Sequence, residues 1–318
     1  MIEFEYLKKG LNAMARAHRT GSMTGHLGAA AVAGYFFGEQ RPGLDREVVD
    51  GIESDLDKVI AGESVFGKRM YRNAELADRE LFADFPEERP DEGLVDAIAE
   101  ALGRTIGDVR QSGHNVIFGS LAIRALREHP EFATPSIVDG IVSLLRQFDG
   151  AHPGSGYYGK ERGRIRGNRV AAEDVGEDPG YTDVEGMARA VFDEMIALEP
   201  DVHRQGYGGL VHVINHAAAI ADLADYGHAG FVPRALASHR RHLQLWRGLP
   251  DLAAELGPVP VSATLPTAPR YWTSGEVPYD RALLTHRAKT LFGFAELAGA
   301  VDLGDREDRA YEKFRYLM

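Results

Sequence analysis

Four stretches decide the fold. Residues 25–34 read Gly-His-Leu-Gly-Ala-Ala-Ala-Val-Ala-Gly, and residues 113–122 read Gly-His-Asn-Val-Ile-Phe-Gly-Ser-Leu-Ala. Residues 211–220 read Val-His-Val-Ile-Asn-His-Ala-Ala-Ala-Ile, and residues 285–294 read Thr-His-Arg-Ala-Lys-Thr-Leu-Phe-Gly-Phe. Each sets a histidine (His26, His114, His212, His286) at the head of an apolar run. A run that is apolar on every side is a helix buried on every side. A second helical pattern opens at Leu44, Pro135, Val232 and Asp305, which lie 18, 21, 20 and 19 residues after the leading histidines. The first of these carries Leu44, Val48, Val49, Ile52, Leu56, Val59 and Ile60 on one stripe with acids between, the mark of a one-sided helix. A recurring unit of this kind fixes the architecture before any residue is given a role.

The repeat predicts an all-α chain, 1–318, folded as one domain. Its buried helices form the inner ring, and its amphipathic helices the outer ring, of an α/α toroid or barrel. A stack of helical hairpins is the competing arrangement. Further helices are predicted over 2–18, 64–83, 94–102 and 184–198. Residues 150–182 show no periodicity and read as a long irregular loop, a mobile lid or binding loop. Residues 249–280 are proline-rich and irregular, and Val259–Leu265 is a possible short strand by composition. Ser238-His239-Arg240-Arg241-His242 falls on an outer helix and is expected to face solvent.

Composition excludes several functions. There is no cysteine among the 318 residues, so thiolate metal sites, disulfides and a cysteine nucleophile are out. A net charge of −12 argues against a nucleic-acid binder. No apolar run approaches a membrane span, and the first residues lack a secretory pattern, so a cytoplasmic protein is the expectation. A small molecule is the expected partner, and the oligomeric state is left open.

Histidine is a metal ligand and a general acid or base near neutral pH. At the N-terminus of a helix the dipole disfavours imidazolium and keeps a lone pair available. His26, His114, His212 and His286 are therefore the candidate catalytic residues, and in a ring their helix heads open on one cavity. His212 and His216, at i and i+4, are the candidate metal ligands, with zinc or iron as the ion. Tyr35, Asn115, Tyr207 and Asn215 are the candidate substrate contacts. Gly154-Ser-Gly-Tyr-Tyr-Gly159 matches a dinucleotide fingerprint by letter, but the required strand and helix do not flank it. Arg162, Arg164, Arg166 and Arg169 follow it and could grip an anion; a solvated loop balanced by its acidic neighbour is the alternative.

The phrase Gly-His-Leu-Gly-Ala-Ala-Ala-Val-Ala-Gly-Tyr-Phe-Phe-Gly-Glu resembles the histidine-led helix near the start of questin oxidase-like proteins. Gly208-Gly-Leu-Val-His-Val-Ile-Asn-His216-Ala is similar to their glycine-then-histidine helix, and Leu283-Leu-Thr-His286-Arg-Ala-Lys-Thr to their last one. The likeness covers three short stretches. It implies an oxidoreductase that cleaves a polycyclic aromatic ketone oxidatively in a helical cavity, with His26, His212, His216 and His286 in the site. His114 fits the internal repeat better than the family pattern. Lanthionine-synthetase-like toroids share glycine-histidine helix heads, but their thiolate ligands cannot exist here. The expected function is thus an enzyme acting on a small organic molecule, an oxygenase-type oxidoreductase first. A lyase or hydrolase using histidine and tyrosine as base and acid, and a non-enzymatic binding scaffold, are the rivals.

Overall fold

A computed structural model describes residues 1–67, 70–71, 75–275 and 282–318. It is mostly helical, 64% helix and 2% strand. The four histidine-led runs are helices: Gly25–Gln40, His114–Glu128, Leu210–Leu223 and Leu283–Ala300. The second patterns are helices too: Arg46–Ile60, Pro135–Arg146, Val232–Arg247 and Asp305–Glu312. The expected contrast in burial is present. The His26 helix buries 14 of its 16 residues, and the helix that follows buries 6 of 15. The His212 helix buries 13 of 14, and its successor 8 of 16. No helix among the described residues is long and apolar enough to cross a membrane.

The chain divides into two compact units, each built from segments that are distant in sequence. The first holds residues 1–104, 118–149 and 266–295; the second holds 105–117, 150–265 and 296–318.

In the first unit the N-terminal helix Glu5–Arg16 crosses the His26 helix at very short range. The crossing needs glycine on both sides. A Cβ on Gly28 would lie 2.4 Å from the Gly10 carbonyl oxygen and 2.6 Å from the Met14 nitrogen, both backbone atoms. A Cβ on Gly10 would lie 2.8 Å from the Gly28 oxygen. Below the crossing, Ala13, Leu27, Val59, Leu81, Phe82 and Leu284 form a buried cluster. Gly28→Ala is therefore expected to destabilise the protein by about 3 kcal/mol, the upper end of overpacking costs. A urea midpoint unchanged from the parent would contradict this crossing.

In the second unit the long irregular stretch 150–182 holds a short hairpin. Ser155–Tyr157 and Arg164–Arg166 pair as an antiparallel hairpin, with Ser155 opposite Arg166 and Tyr157 opposite Arg164. The strands are only three residues long, too short to show a period of two. On its other side Ser155–Tyr157 is held by the chain at 205–207, with Tyr157 N–H to Gln205 O at 2.8 Å and Tyr207 N–H to Ser155 O at 2.9 Å. Tyr158 is buried, and Tyr181 is buried at the end of the segment. Backbone bonds fix this segment, and side-chain patterning cannot register them.

The remaining differences are local. Within 64–83 the described residues form only the short helix Asp78–Leu81, and residues 68–69 and 72–74 of that expectation lie outside the described ones. Val259–Leu265 forms no strand; Val259 N–H instead donates to Pro200 O and Ser262 N–H to Arg315 O. Of the irregular stretch 249–280, residues 276–280 lie outside the described ones.

Candidate functional site

The four leading histidines share one local device. Each imidazole folds back over the head of its helix, and its Nδ1–H donates to a carbonyl just before the helix begins. His26 donates to Met23 O at 2.8 Å, His286 to Ala282 O at 2.7 Å, His212 to Gly208 O at 2.5 Å, and His114 to Gln111 O. A carbonyl oxygen only accepts, so Nδ1 carries the proton in every case. In a neutral ring that leaves Nε2 unprotonated. This second hydrogen bond is what sets the tautomer of a metal-binding or catalytic histidine.

Small residues at these heads have a steric purpose. A Cβ on Gly208, which has φ +76°, would lie 2.3 Å from the His212 ring. Only glycine lets His212 turn back onto that carbonyl.

In the second unit the device brings two histidines together. His212 Nε2 lies 3.1 Å from His114 Nε2, with the ring centroids 4.7 Å apart and the planes at 63°. Both residues are buried. Two unprotonated nitrogens repel at that distance unless a cation, a proton or a metal ion, lies between them. With nitrogen–zinc distances near 2.05 Å, a 3.1 Å edge subtends about 100° at the ion, between octahedral and tetrahedral values.

The chain is strained where it enters both helices. Gln111 and Ser112 have φ of +45° and +61°, and Gly113 follows at +84°. Tyr207 has φ +49° between Gly206 and Gly208, which are also positive. Residues other than glycine in this region cost roughly 1–2 kcal/mol each, and such strain concentrates at functional sites. One segment holds both loops. Gln111 N–H donates to His152 O at 2.9 Å and Ser112 N–H to Pro153 O at 3.0 Å, while Tyr207 N–H donates to Ser155 O. The stretch 152–157, within the loop expected over 150–182, is thus a bracket that positions His114 and His212. Its Gly156 lets neighbouring side chains pack directly on the main chain. A Cβ on Gly156 would meet Leu249 at 2.5 Å and Tyr207 at 2.7 Å.

His216, one turn along from His212, takes part in a separate chain. His242 Nε2–H donates to Tyr207 O at 3.0 Å, so His242 Nδ1 is an acceptor. His216 Nδ1 lies 3.2 Å from it and donates. His216 Nε2 is left as a buried acceptor with no hydrogen-bond partner among the described residues, as are Asn115 Oδ1 and Asn215 Oδ1. Asn115 Nδ2 donates to Thr105 O and Oγ1 at 3.2 and 3.0 Å. Tyr207 is buried, and its hydroxyl meets that of Tyr158 at 3.3 Å. Burial holds the phenol of Tyr207 above its ordinary range, so it stays protonated.

The expectation that His239 and His242 face solvent is overturned, since both are fully buried. His239 Nε2–H donates to Val213 O at 2.9 Å, and its Nδ1 accepts from the Tyr181 hydroxyl at 2.5 Å. Burial lowers His239 to about 3 and His242 to about 4, and holds His216 well below the usual imidazole value. A neutral imidazole is apolar enough for a core. The sequence signal was available, because Ala235, Leu236, His239, His242, Leu243 and Trp246 make one helical stripe.

In the first unit the His26 ring stacks on Phe66 at 3.9 Å and meets the His286 ring edge-on at 5.2 Å. Tyr35 is elsewhere. It lies nine residues along the His26 helix, about 13 Å at 1.5 Å per residue, with its hydroxyl 3.4 Å from His129 Nε2.

Sequence reasoning missed Lys289, three residues after His286 and so on the same side of that helix. It is 3% exposed, and its ammonium has no hydrogen bond or ion pair among the described residues. Burial holds it well below the ordinary lysine value. Buried lysines with lowered pKa values serve as bases and nucleophiles in enzymes generally. Its neighbour Arg287 is paired instead, with Asp55 at 2.6 Å and the Tyr271 hydroxyl at 3.0 Å. A second cation, two residues after Arg287, inside a run predicted to be buried all round was the signal for Lys289.

Comparison with known proteins finds no matching family model, no similar curated protein and no similar solved structure.

Proposed function

We propose that the chain is an enzyme acting on a small organic molecule, with a transition-metal ion held by His114 and His212 as its chemical centre. The observation that carries this reading is the 3.1 Å approach of their two Nε2 atoms. Both rings have their protons on the other nitrogen, so the pair is built to share a cation. Imidazole ligands suit zinc, iron, copper and nickel. Iron fits the oxygenase-type oxidoreductase that the sequence resemblance implies, and zinc fits hydrolytic chemistry. His26 and His286 carry the same tautomer and belong to the same proposal, as does the ring of inner and outer helices that the repeat predicts. Asn115, Asn215 and His216 present buried acceptors that suit O–H or N–H donors of a polar aromatic substrate.

The same contact favours one second reading. If the shared cation is a proton, the pair is an imidazole–imidazolium acid–base couple, and the reaction is a lyase or hydrolase step without metal. Elemental analysis of the purified protein separates the two. About one transition-metal ion per chain, with oxygen uptake in the presence of a polycyclic aromatic ketone, is the expected result. A metal-free protein with a turnover unaffected by chelator would overturn the metal reading.

A further inference from the structure

The hairpin that braces the histidine loops has one strand with no strand or backbone partner on its outer side among the described residues. The sheet has two strands, and Ser155–Tyr157 is the one held by residues 205–207, so Arg164–Arg166 is the edge. The register shows which groups face outward. Gly167 N–H bonds Gly154 O and Tyr158 N–H bonds Gly163 O, which makes Gly156 and Ile165 the next hydrogen-bonded pair between them. In an antiparallel ladder hydrogen-bonded and non-hydrogen-bonded pairs alternate. Arg164 and Arg166 therefore turn their main-chain groups away from the partner strand. The Arg166 carbonyl leads into the helical turn Gly167–Arg169, so the outward set is Arg164 N–H, Arg164 C=O and Arg166 N–H.

This edge is the most basic part of an acidic chain. Lys160, Arg162, Arg164, Arg166 and Arg169 fall within ten residues of a protein with net charge −12. Arg162 is neutralised by Asp174. Arg164 has its guanidinium 5.9 Å from the Tyr157 ring centre and a 3.4 Å bond to Gln205. Arg166 and Arg169 are exposed and make no ion pair or side-chain hydrogen bond among the described residues. Edge strands are commonly blunted by charge. Charge also selects: a second copy would set arginine against arginine, whereas an acidic strand meets the same edge with attraction.

We infer that Arg164–Arg166 is a docking edge for an extended acidic segment of a partner protein, which adds to the hairpin as a strand. Main-chain bonds would give affinity and the arginines selectivity for carboxylates. The inference is independent of the chemistry at the histidines.

Arg166 allows the two contributions to be separated. Its φ of −70° and ψ of +141° suit proline, and its outward N–H plays no part in the hairpin. Arg166→Gln removes the charge and keeps the N–H, while Arg166→Pro removes both. The probe is a fluorescein-labelled six-residue peptide of alternating glutamate and valine, titrated against the full chain by anisotropy at low salt. The expected result is saturable binding that weakens with salt. Arg166→Gln should bind about tenfold more weakly, and Arg166→Pro measurably more weakly again. Unchanged circular dichroism and melting temperature identify folded variants. No binding to the parent, equal binding by the two variants, or tighter capture of a single-stranded oligonucleotide would each overturn the inference.

Discussion

Alanine at His212 is expected to abolish the proposed metal binding while leaving the protein's helices in place. In the proposed site the ring would offer Nε2 to a cation, and its Nδ1–H donates to Gly208 O. Removing it takes away half of the histidine pair that would hold the ion. Loss of an outer-shell partner already costs 10–100-fold in metal affinity, so loss of the ligand itself should exceed about 100-fold. The cost in fold is smaller, because the Gly208 carbonyl lies in a loop before the helix. One lost hydrogen bond to a buried group amounts to roughly 1–3 kcal/mol. His114→Ala should behave alike. His239→Ala is the control: an equally buried imidazole with its own hydrogen bonds, to Val213 and Tyr181, and so a loss of stability without loss of metal. Metal content per folded molecule, measured on all three variants, reads the difference. Equal metal retention in His212→Ala and the parent would remove the metal from this site. A chelator without effect and a bell-shaped pH profile would then assign the pair to acid–base work.

Residues and bonds differ in how far they can be read from sequence. The four histidine-led helices were legible because an all-round apolar run has one physical solution, burial on all faces. The glycines beside the histidines were visible, but their reason was not. For His212 the reason is the carbonyl four residues back, reached only because Gly208 leaves room, whereas a Cβ on Gly25 would strike Phe118 and one on Gly113 would strike His216. The bracket at 152–157 was invisible because it works through main-chain atoms, which carry no residue signature. Its glycines looked like a phosphate-binding phrase, since close backbone approach is the shared requirement of both. Tyr35 was misleading in a different way. It sits at the far end of the right helix, and sequence proximity to His26 counts for nothing once the rise per residue has carried it to His129. Lys289 was overlooked because it was read as part of a helix pattern. Its importance comes from burial without a partner.

The second unit should lose stability steeply on mild acidification. His216, His239 and His242 are fully buried, and burial holds each below its ordinary value. In the unfolded chain each would titrate near ~6.5. The sign follows from which state binds protons. Below ~6.5 the unfolded chain takes up protons that the folded core refuses, so unfolding is favoured as pH falls. The stability these three contribute is complete above ~6.5. It is lost progressively below, until the folded rings themselves protonate, at about 4 for His242 and about 3 for His239. Each histidine adds a slope of about 1.4 kcal/mol per pH unit, and three together about 4 kcal/mol per unit, a large fraction of a typical domain's total stability. Denaturant melts at pH 7, 6 and 5 should show this fall. His239→Phe would remove one of the three protons, and its stability should then decline less steeply even if it is lower at pH 7 through loss of the Tyr181 bond. A variant with the same pH slope as the parent would mean that His239 is accessible to protons in the folded state, which its complete burial and its bond to the Val213 carbonyl argue against.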